Sequence, residues 1–211
     1  CSRVIDMAAS FKNSAWFYDT LSRVVYGKAL VNAQLYLISY IQPHHRILIV
    51  GGGSGWILEE LTELHPSGLS VTYVEVAEDM MALSKKRNTS NNEVVFINEP
   101  IENVMLPADF DIAITPFLFD NFTEETLKTV FNHIQTLLKP GALWLNCDFQ
   151  LTEKWWQAFL LRSMFIFFRL VCGIEANKLP QIADCFSGNG YSILDERTFF
   201  GNFIVAMVYK K

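Results

Sequence analysis

Apolar and polar positions change rhythm near residue 45. Before it, "SAWFYDTLSRVVYGKALVNAQLYLISYI" is helical in spacing and rich in aromatic residues. After it, short apolar runs alternate with segments of helical periodicity. "RILIV" is a continuous aliphatic run, the pattern of a strand buried on both faces, and "WILEELTEL" follows with helical spacing. "LSVTYVEV" is β-branched and predicts a second strand. "EDMMALSKKR" predicts a helix, with acids at its start and Lys85, Lys86 and Arg87 at its end, which suits the helix dipole. "EVVFIN" and "FDIAIT" predict the third and fourth strands. Leu127, Val130, Phe131, Ile134, Leu137 and Leu138 then share one helical face, and "LKPGALWLNC" supplies a turn and a fifth strand.

Strands alternating with helices require right-handed crossovers, and so a parallel sheet covered on both faces. The last segment breaks the alternation. "YSILDERTFFGNFIVAMVYKK" offers two strand-like runs around Gly201-Asn202 with no helix between them, which predicts a terminal antiparallel hairpin. The expected organisation is one domain over 1–211, with an N-terminal helical cap at 1–44 and an α/β core at 45–211. Within the core, residues 152–175 contain "EKWWQAFLLRSMFIFFRLVCGI", whose surface is almost wholly apolar apart from Arg162 and Arg169 on one face. That helix is either buried between the sheet and the cap, or a lid over an apolar pocket, or a face for a second copy or a lipid surface.

Four glycines occupy Gly51 to Gly55, with Ser54 among them, between the first strand and its helix. In an open α/β sheet ligands bind beyond the carboxyl ends of the strands, and missing β-carbons let backbone come close to one. Glu75 closes the second strand about 20 residues later, the spacing at which a carboxylate meets both hydroxyls of a ribose. Loop, acid and strand context together indicate an adenosine-type cofactor. Trp56 distinguishes two candidates. The dinucleotide fingerprint G-x-G-x-x-G, counted from Gly51, places glycine where the indole of Trp56 stands. S-adenosylmethionine carries no phosphate and makes no such demand.

On these residues the chain resembles the class I S-adenosylmethionine-dependent methyltransferases, of the small-molecule type, over most of its length from about residue 45. "ILIVGGGSG" matches their first motif and "YVEVAEDMMALSKKR" their second; "VVFINEPIEN" is similar to the third and "FDIAITPFLFDNF" to the fourth. The resemblance implies a Rossmann-like α/β fold with a seven-stranded, mostly parallel sheet in the order 3-2-1-4-5-7-6. It implies S-adenosylmethionine as cofactor and S-adenosylhomocysteine as product. It places Gly51, Gly52, Gly53, Ser54 and Gly55 along the methionine portion, Glu75 and Val76 at the ribose, and Met80, Glu99, Pro100 and Ile101 beside the adenine. Thr115, Pro116 and Phe117 would flank the methyl group. Three positions depart from the pattern. Ile49 and Pro100 stand where the first and third motifs usually carry acids, and Thr115-Pro116-Phe117-Leu118 only half resembles the signature used on planar amines.

Asp120, in the loop after the fourth strand, is a candidate to orient or deprotonate a nucleophile, and is equally ordinary turn chemistry. Asp148, at the end of the fifth strand, has the same two readings. Tyr18 and Asp19 are placed to reach over the site from the cap. His44, His45, His65 and His133 lie at the opposite edge of the sheet or in mid-helix and are expected to serve packing or the surface. No cluster of metal ligands is visible, so no metal is expected.

Composition narrows the partners. The chain has 211 residues, 51% hydrophobic and 18% charged, which suits a packed core, and its net charge of −5 supplies no general basic field for nucleic acid. A small-molecule acceptor of apolar character is therefore expected. Four scattered cysteines without a Cys-x-x-Cys pair suit a reducing, cytoplasmic setting, and "CSRVIDMAAS" lacks a secretory profile. "FLLRSMFIFFRLVCGI" is shorter than the roughly 20 apolar residues that a span requires, and two arginines interrupt it. Rival readings are a nicotinamide-dependent oxidoreductase, a noncatalytic cofactor-binding protein and a nucleic-acid methyltransferase.

Overall fold

The aliphatic run after His45 becomes the centre of the molecule. A computed structural model describes residues 26–172 and 178–211. In it β1 (Arg46–Val50) pairs in parallel with β2 (Ser67–Val74) on one side and with β4 (Phe110–Pro116) on the other. β3 (Asn91–Ile97) extends the sheet beyond β2, and β5 (Leu138–Phe149) extends it beyond β4, both in parallel. The chain then reverses: β7 (Ile204–Lys210) runs antiparallel to β5, and β6 (Ser192–Phe199) antiparallel to β7 at the edge. The order is 3-2-1-4-5-7-6, as the resemblance implied.

Strand side chains alternate between faces, and the core divides accordingly. Ile47, Ile49, Ile112, Ile114, Leu145 and Cys147 enter one apolar cluster; Leu48, Val50, Ala113 and Trp144 enter the other. The first is covered by α1 (Ala29–Ile38), α2 (Trp56–Leu64) and α5 (Trp155–Cys172), the second by α4 (Glu124–Thr136) and α6 (Ile182–Gly188). In α4 the buried residues are Leu127, Val130, Phe131 and Ile134, each contributing on the order of 1.5–3 kcal/mol through burial. Thr123 starts this helix, its Oγ1 accepting the Thr126 N–H. The expected stripe ran on to Leu137 and Leu138, but the helix closes at Thr136; Leu137 is its C-cap and Leu138 already belongs to β5.

Other boundaries moved for tertiary reasons. α3 (Glu78–Ser84) ends before Lys85, because Arg87 turns back to donate from Nε to the Ser54 carbonyl and to pair with Glu59 at 3.1 Å. α6 is a helix that periodicity did not reveal; at seven residues it is too short to show a stripe, and Cys185 and Phe186 hold it. The hairpin turn takes three consecutive left-handed residues, Phe200, Gly201 and Asn202. The start of α5 clamps that turn, since Lys154 Nζ and Gln157 Nε2 both donate to the Gly201 carbonyl.

α5 is neither wholly buried nor wholly a lid. Trp156, Leu160, Leu161, Met164 and Phe165 pack inward, while Trp155 (81% exposed), Phe159 (66%) and Ile166 share an outward row with Arg162 and Arg169. Among the described residues no helix is long and apolar enough to cross a membrane. Of the N-terminal helical stretch, α1 is described; Tyr18 and Asp19 lie outside the described residues, as does 173–175 of the expected lid segment.

Candidate functional site

The carboxyl edge of β1 and β2 is assembled around glycine. Gly51 continues the ladder by donating its N–H to the Val74 carbonyl at 2.9 Å, then turns with φ +71°. A β-carbon on Gly52 would lie 2.5 Å from the ring and hydroxyl of Tyr73, and one on Gly55 would lie 2.7 Å from the Ser84 Cα on α3. These two glycines serve close packing. Gly53 differs: its φ is +63°, yet nothing lies within 4 Å of where its β-carbon would stand. It is the loop position at which backbone faces open space.

Glu75 lies just past β2 and is 8% exposed, with its carboxylate turned onto the loop. Its Oε2 accepts the Gly53 N–H at 3.0 Å and its Oε1 accepts the Ala77 N–H at 2.9 Å. A carboxylate has about four acceptor directions, so these bonds do not exhaust its capacity for a ligand. Burial pushes its pKa up, against the opposing pull of these backbone N–H groups. The Tyr73 hydroxyl donates to the Gly53 carbonyl, and Asn98 Nδ2 donates to the carbonyls of Glu75 and Val76. Both Tyr73 and Asn98 escaped the sequence reading. Asn98 could have been found as the polar residue closing the third strand; Tyr73 has the look of a plain core residue.

A second polar group lies beyond β4 and β5. Phe117 follows β4 in a left-handed conformation, φ +52°, and donates its N–H to the Cys147 carbonyl at 2.8 Å. A short 3-10 turn, Phe119–Asn121, carries Asp120, which is 4% exposed and accepts from Asn121 Nδ2 at 2.6 Å. Asp148, the penultimate residue of β5, is 1% exposed. Its Oδ1 accepts the Phe149 N–H, and its Oδ2 is buried without a hydrogen-bond partner. Burial first, and then the Asp148 charge, hold the Asp120 carboxyl well above the usual range; burial does the same to Asp148. Aromatic rings surround this corner. Phe149 meets Phe117 at 5.3 Å, Tyr26 at 5.4 Å and Phe203 at 5.1 Å between centroids.

Residues 47–141 match the family model described as "Methyltransferase domain". Over these 95 of its 211 residues the chain is similar to a methyltransferase domain. Sequence relatives of this domain include the malonyl-[acyl-carrier protein] O-methyltransferase of Bacillus anthracis, 33% identical over 91 residues, which are 42% of this chain and 33% of that protein. The matched stretch thus spans a third of the relative's length. The fold is shared with the 1,6-didemethyltoxoflavin-N1-methyltransferase of Burkholderia thailandensis, solved with 1,6-didemethyltoxoflavin and S-adenosylhomocysteine bound. The TM-score is 0.69 at 16% identity, over 98% of this chain and 87% of that one. A mycolic acid cyclopropane synthase solved with S-adenosylhomocysteine aligns with a TM-score of 0.68 at 13% identity, over 86% and 84% of the two chains.

Within the matched stretch, Gly51, Gly52, Gly53, Ser54, Gly55, Glu75 and Val76 gather at one edge. Met80 is buried on α3; Glu99 is exposed, Pro100 half-buried, and Ile101 buried at the start of a 3-10 turn. Pro116 ends β4. Thr115 is placed differently from the expectation. Its hydroxyl is fully buried, accepts from Trp144 Nε1 at 2.9 Å and donates to Asn146 Oδ1 at 2.8 Å, which leaves only its backbone for a ligand. His65 and His133 bond through Nε2 to the carbonyls of Ile41 and Val104, in packing positions.

Proposed function

We propose that this chain binds S-adenosylmethionine at the Gly51–Gly55 loop and transfers its methyl group to a small, apolar acceptor. The observation that carries the reading is the pairing of Gly53 with Glu75: an open glycine whose N–H is tied to a buried carboxylate with acceptor capacity to spare. That combination fits a ribose beside close-approaching backbone. Gly51, Gly52, Gly53, Ser54 and Gly55 would follow the methionine portion, and Glu75 and Val76 would hold the sugar. Met80, Glu99, Pro100 and Ile101 would border the adenine, and Pro116, Phe117 and the Thr115 backbone would face the reacting end.

When bound, the cofactor supplies a methyl group on a cationic sulfur, intrinsically reactive toward a nucleophile. The protein's part is alignment and exclusion of water. Tyr26, Phe117, Phe149 and Phe203 provide a water-poor corner beside Asp120, which supports an apolar acceptor. Asp120 would orient the acceptor's nucleophile and take its proton. Because the match to the malonyl-[acyl-carrier protein] methyltransferases spans a third of their length, the acceptor is argued from this corner alone.

Titration calorimetry with S-adenosylmethionine and with NAD tests the cofactor. Binding of the first at micromolar strength, abolished in Glu75→Ala, is the expected result; binding of NAD alone would overturn it. Transfer of labelled methyl into fractionated cell extract distinguishes an enzyme from a noncatalytic binder and isolates the acceptor.

A further inference from the structure

We infer that Asp120 and Asp148 form a proton-holding pair that answers to the positive charge of the donor, so that this site tells the charged donor from its neutral product. The inference rests on the cofactor reading above. Its ground is a buried arrangement that the fold alone does not balance. Asp120 stands in the turn after β4 and Asp148 at the end of the adjacent β5, where Pro116 of β4 pairs with Cys147 of β5, and both are more than nine-tenths buried. Asp148 Oδ2 is left without a partner. The ion pairs among the described residues use Asp109, Glu59 and Asp111, so no described lysine or arginine neutralises either carboxyl. An isolated ionised carboxylate in such a place costs several kcal/mol, and two cost more.

Two neighbouring carboxyls that cannot both ionise keep a proton between them. The titratable groups facing them do not help. Cys147 is pushed up by burial first and then by both aspartates, and Tyr26 by burial and then Asp120. The groups that oppose the effect are neutral donors, the Asn121 amide and the backbone N–H groups of Phe119, Asp120, Asn121 and Phe149. A cation brought beside the pair would replace the proton, and the proton would leave to solvent. The glycine loop adjoins the segment before Asp120: a β-carbon on Gly51 would lie 2.8 Å from the side chain of Leu118, two residues ahead of it. A ligand seated on the loop would therefore lie close to the segment that carries Asp120. S-adenosylmethionine brings a sulfonium; S-adenosylhomocysteine brings a neutral thioether.

The test is calorimetry of both ligands from pH 6 to pH 8, in buffers of different ionisation enthalpy, with the intact chain and with Asp148→Asn and Asp120→Asn. Proton release accompanying S-adenosylmethionine and absent for S-adenosylhomocysteine is the expected result. The affinity ratio of donor to product should rise with pH and fall about tenfold in Asp148→Asn, the equivalent of about one pKa unit of coupling. Equal proton release for both ligands, or an unchanged ratio in a variant whose circular dichroism matches the parent, would overturn the inference and leave the cofactor reading standing. Asp120→Asn repeats the test should Asp148→Asn fail to fold. Binding of neither ligand overturns both.

Discussion

Two glycines two residues apart in the same loop should respond to alanine in opposite ways. Gly53 and Gly55 share a left-handed backbone, φ +63° and +76°. Each alanine therefore carries the intrinsic cost of that conformation, roughly 1–2 kcal/mol. The surroundings then separate them. At Gly53 the new methyl enters open space, so the fold loses only the conformational amount. At Gly55 it meets Ser84 Cβ at 2.5 Å and Ser84 Cα at 2.7 Å, and the second of these is backbone of α3. Overpacking of that kind adds about 1–3 kcal/mol, for a total of roughly 2–5 kcal/mol. Urea unfolding should show Gly55→Ala with the lower midpoint at unchanged slope. Calorimetry should show Gly53→Ala, though better folded, losing at least tenfold in affinity for S-adenosylmethionine, because its methyl occupies the space reserved for ligand. A Gly53→Ala variant that binds like the parent would refute the placement of the cofactor; a Gly53→Ala variant less stable than Gly55→Ala would refute the steric argument.

Other substitutions probe the neighbouring claims. Glu75→Gln turns an amide donor toward one of the two N–H groups now bonded to the carboxylate, so unfolding measurements should show a loss of about 1–3 kcal/mol together with weakened cofactor binding. Burial raises the Asp148 pKa, so the native carboxyl keeps a proton that the unfolded chain gives up. Its contribution is thus present below the ordinary carboxylate range near 4 and is lost as pH rises through the folded value; Asp148→Asn should flatten the stability curve above about pH 5, read by thermal midpoints across pH. Thr115→Val strands Trp144 Nε1 and Asn146 Oδ1 in the core and should cost about 2–5 kcal/mol, with the fold's denaturation midpoint as readout. Trp155→Ser and Phe159→Ser touch an outward face, and should shift stability by no more than about 0.5 kcal/mol each.

Much of this molecule was decided by the order of its residues alone. Strands and major helices follow from side-chain period, since a face can be buried only if its apolar residues recur every second or every third and fourth position. "RILIV", "FDIAIT" and the Leu127–Ile134 stripe became β1, β4 and α4 for that reason. The glycine loop was equally legible, because closely spaced glycines between a strand and a helix mark a backbone that needs left-handed turns or close approach. What one-dimensional order could not decide is which contacts fill those positions. Gly52 and Gly55 proved to be packing glycines because Tyr73 and Ser84, more than twenty residues away, press on them, while Gly53 alone faces open space. Thr115 reads as a site residue by position, yet its hydroxyl belongs to Trp144 and Asn146. Asp120 and Asp148 are ordinary acids in sequence; they become a buried pair only when β4 and β5 lie side by side. Local periodicity is a property of neighbours along the chain, whereas burial, charge balance and open space arise between segments far apart in it, and for those the folded sheet had to be seen.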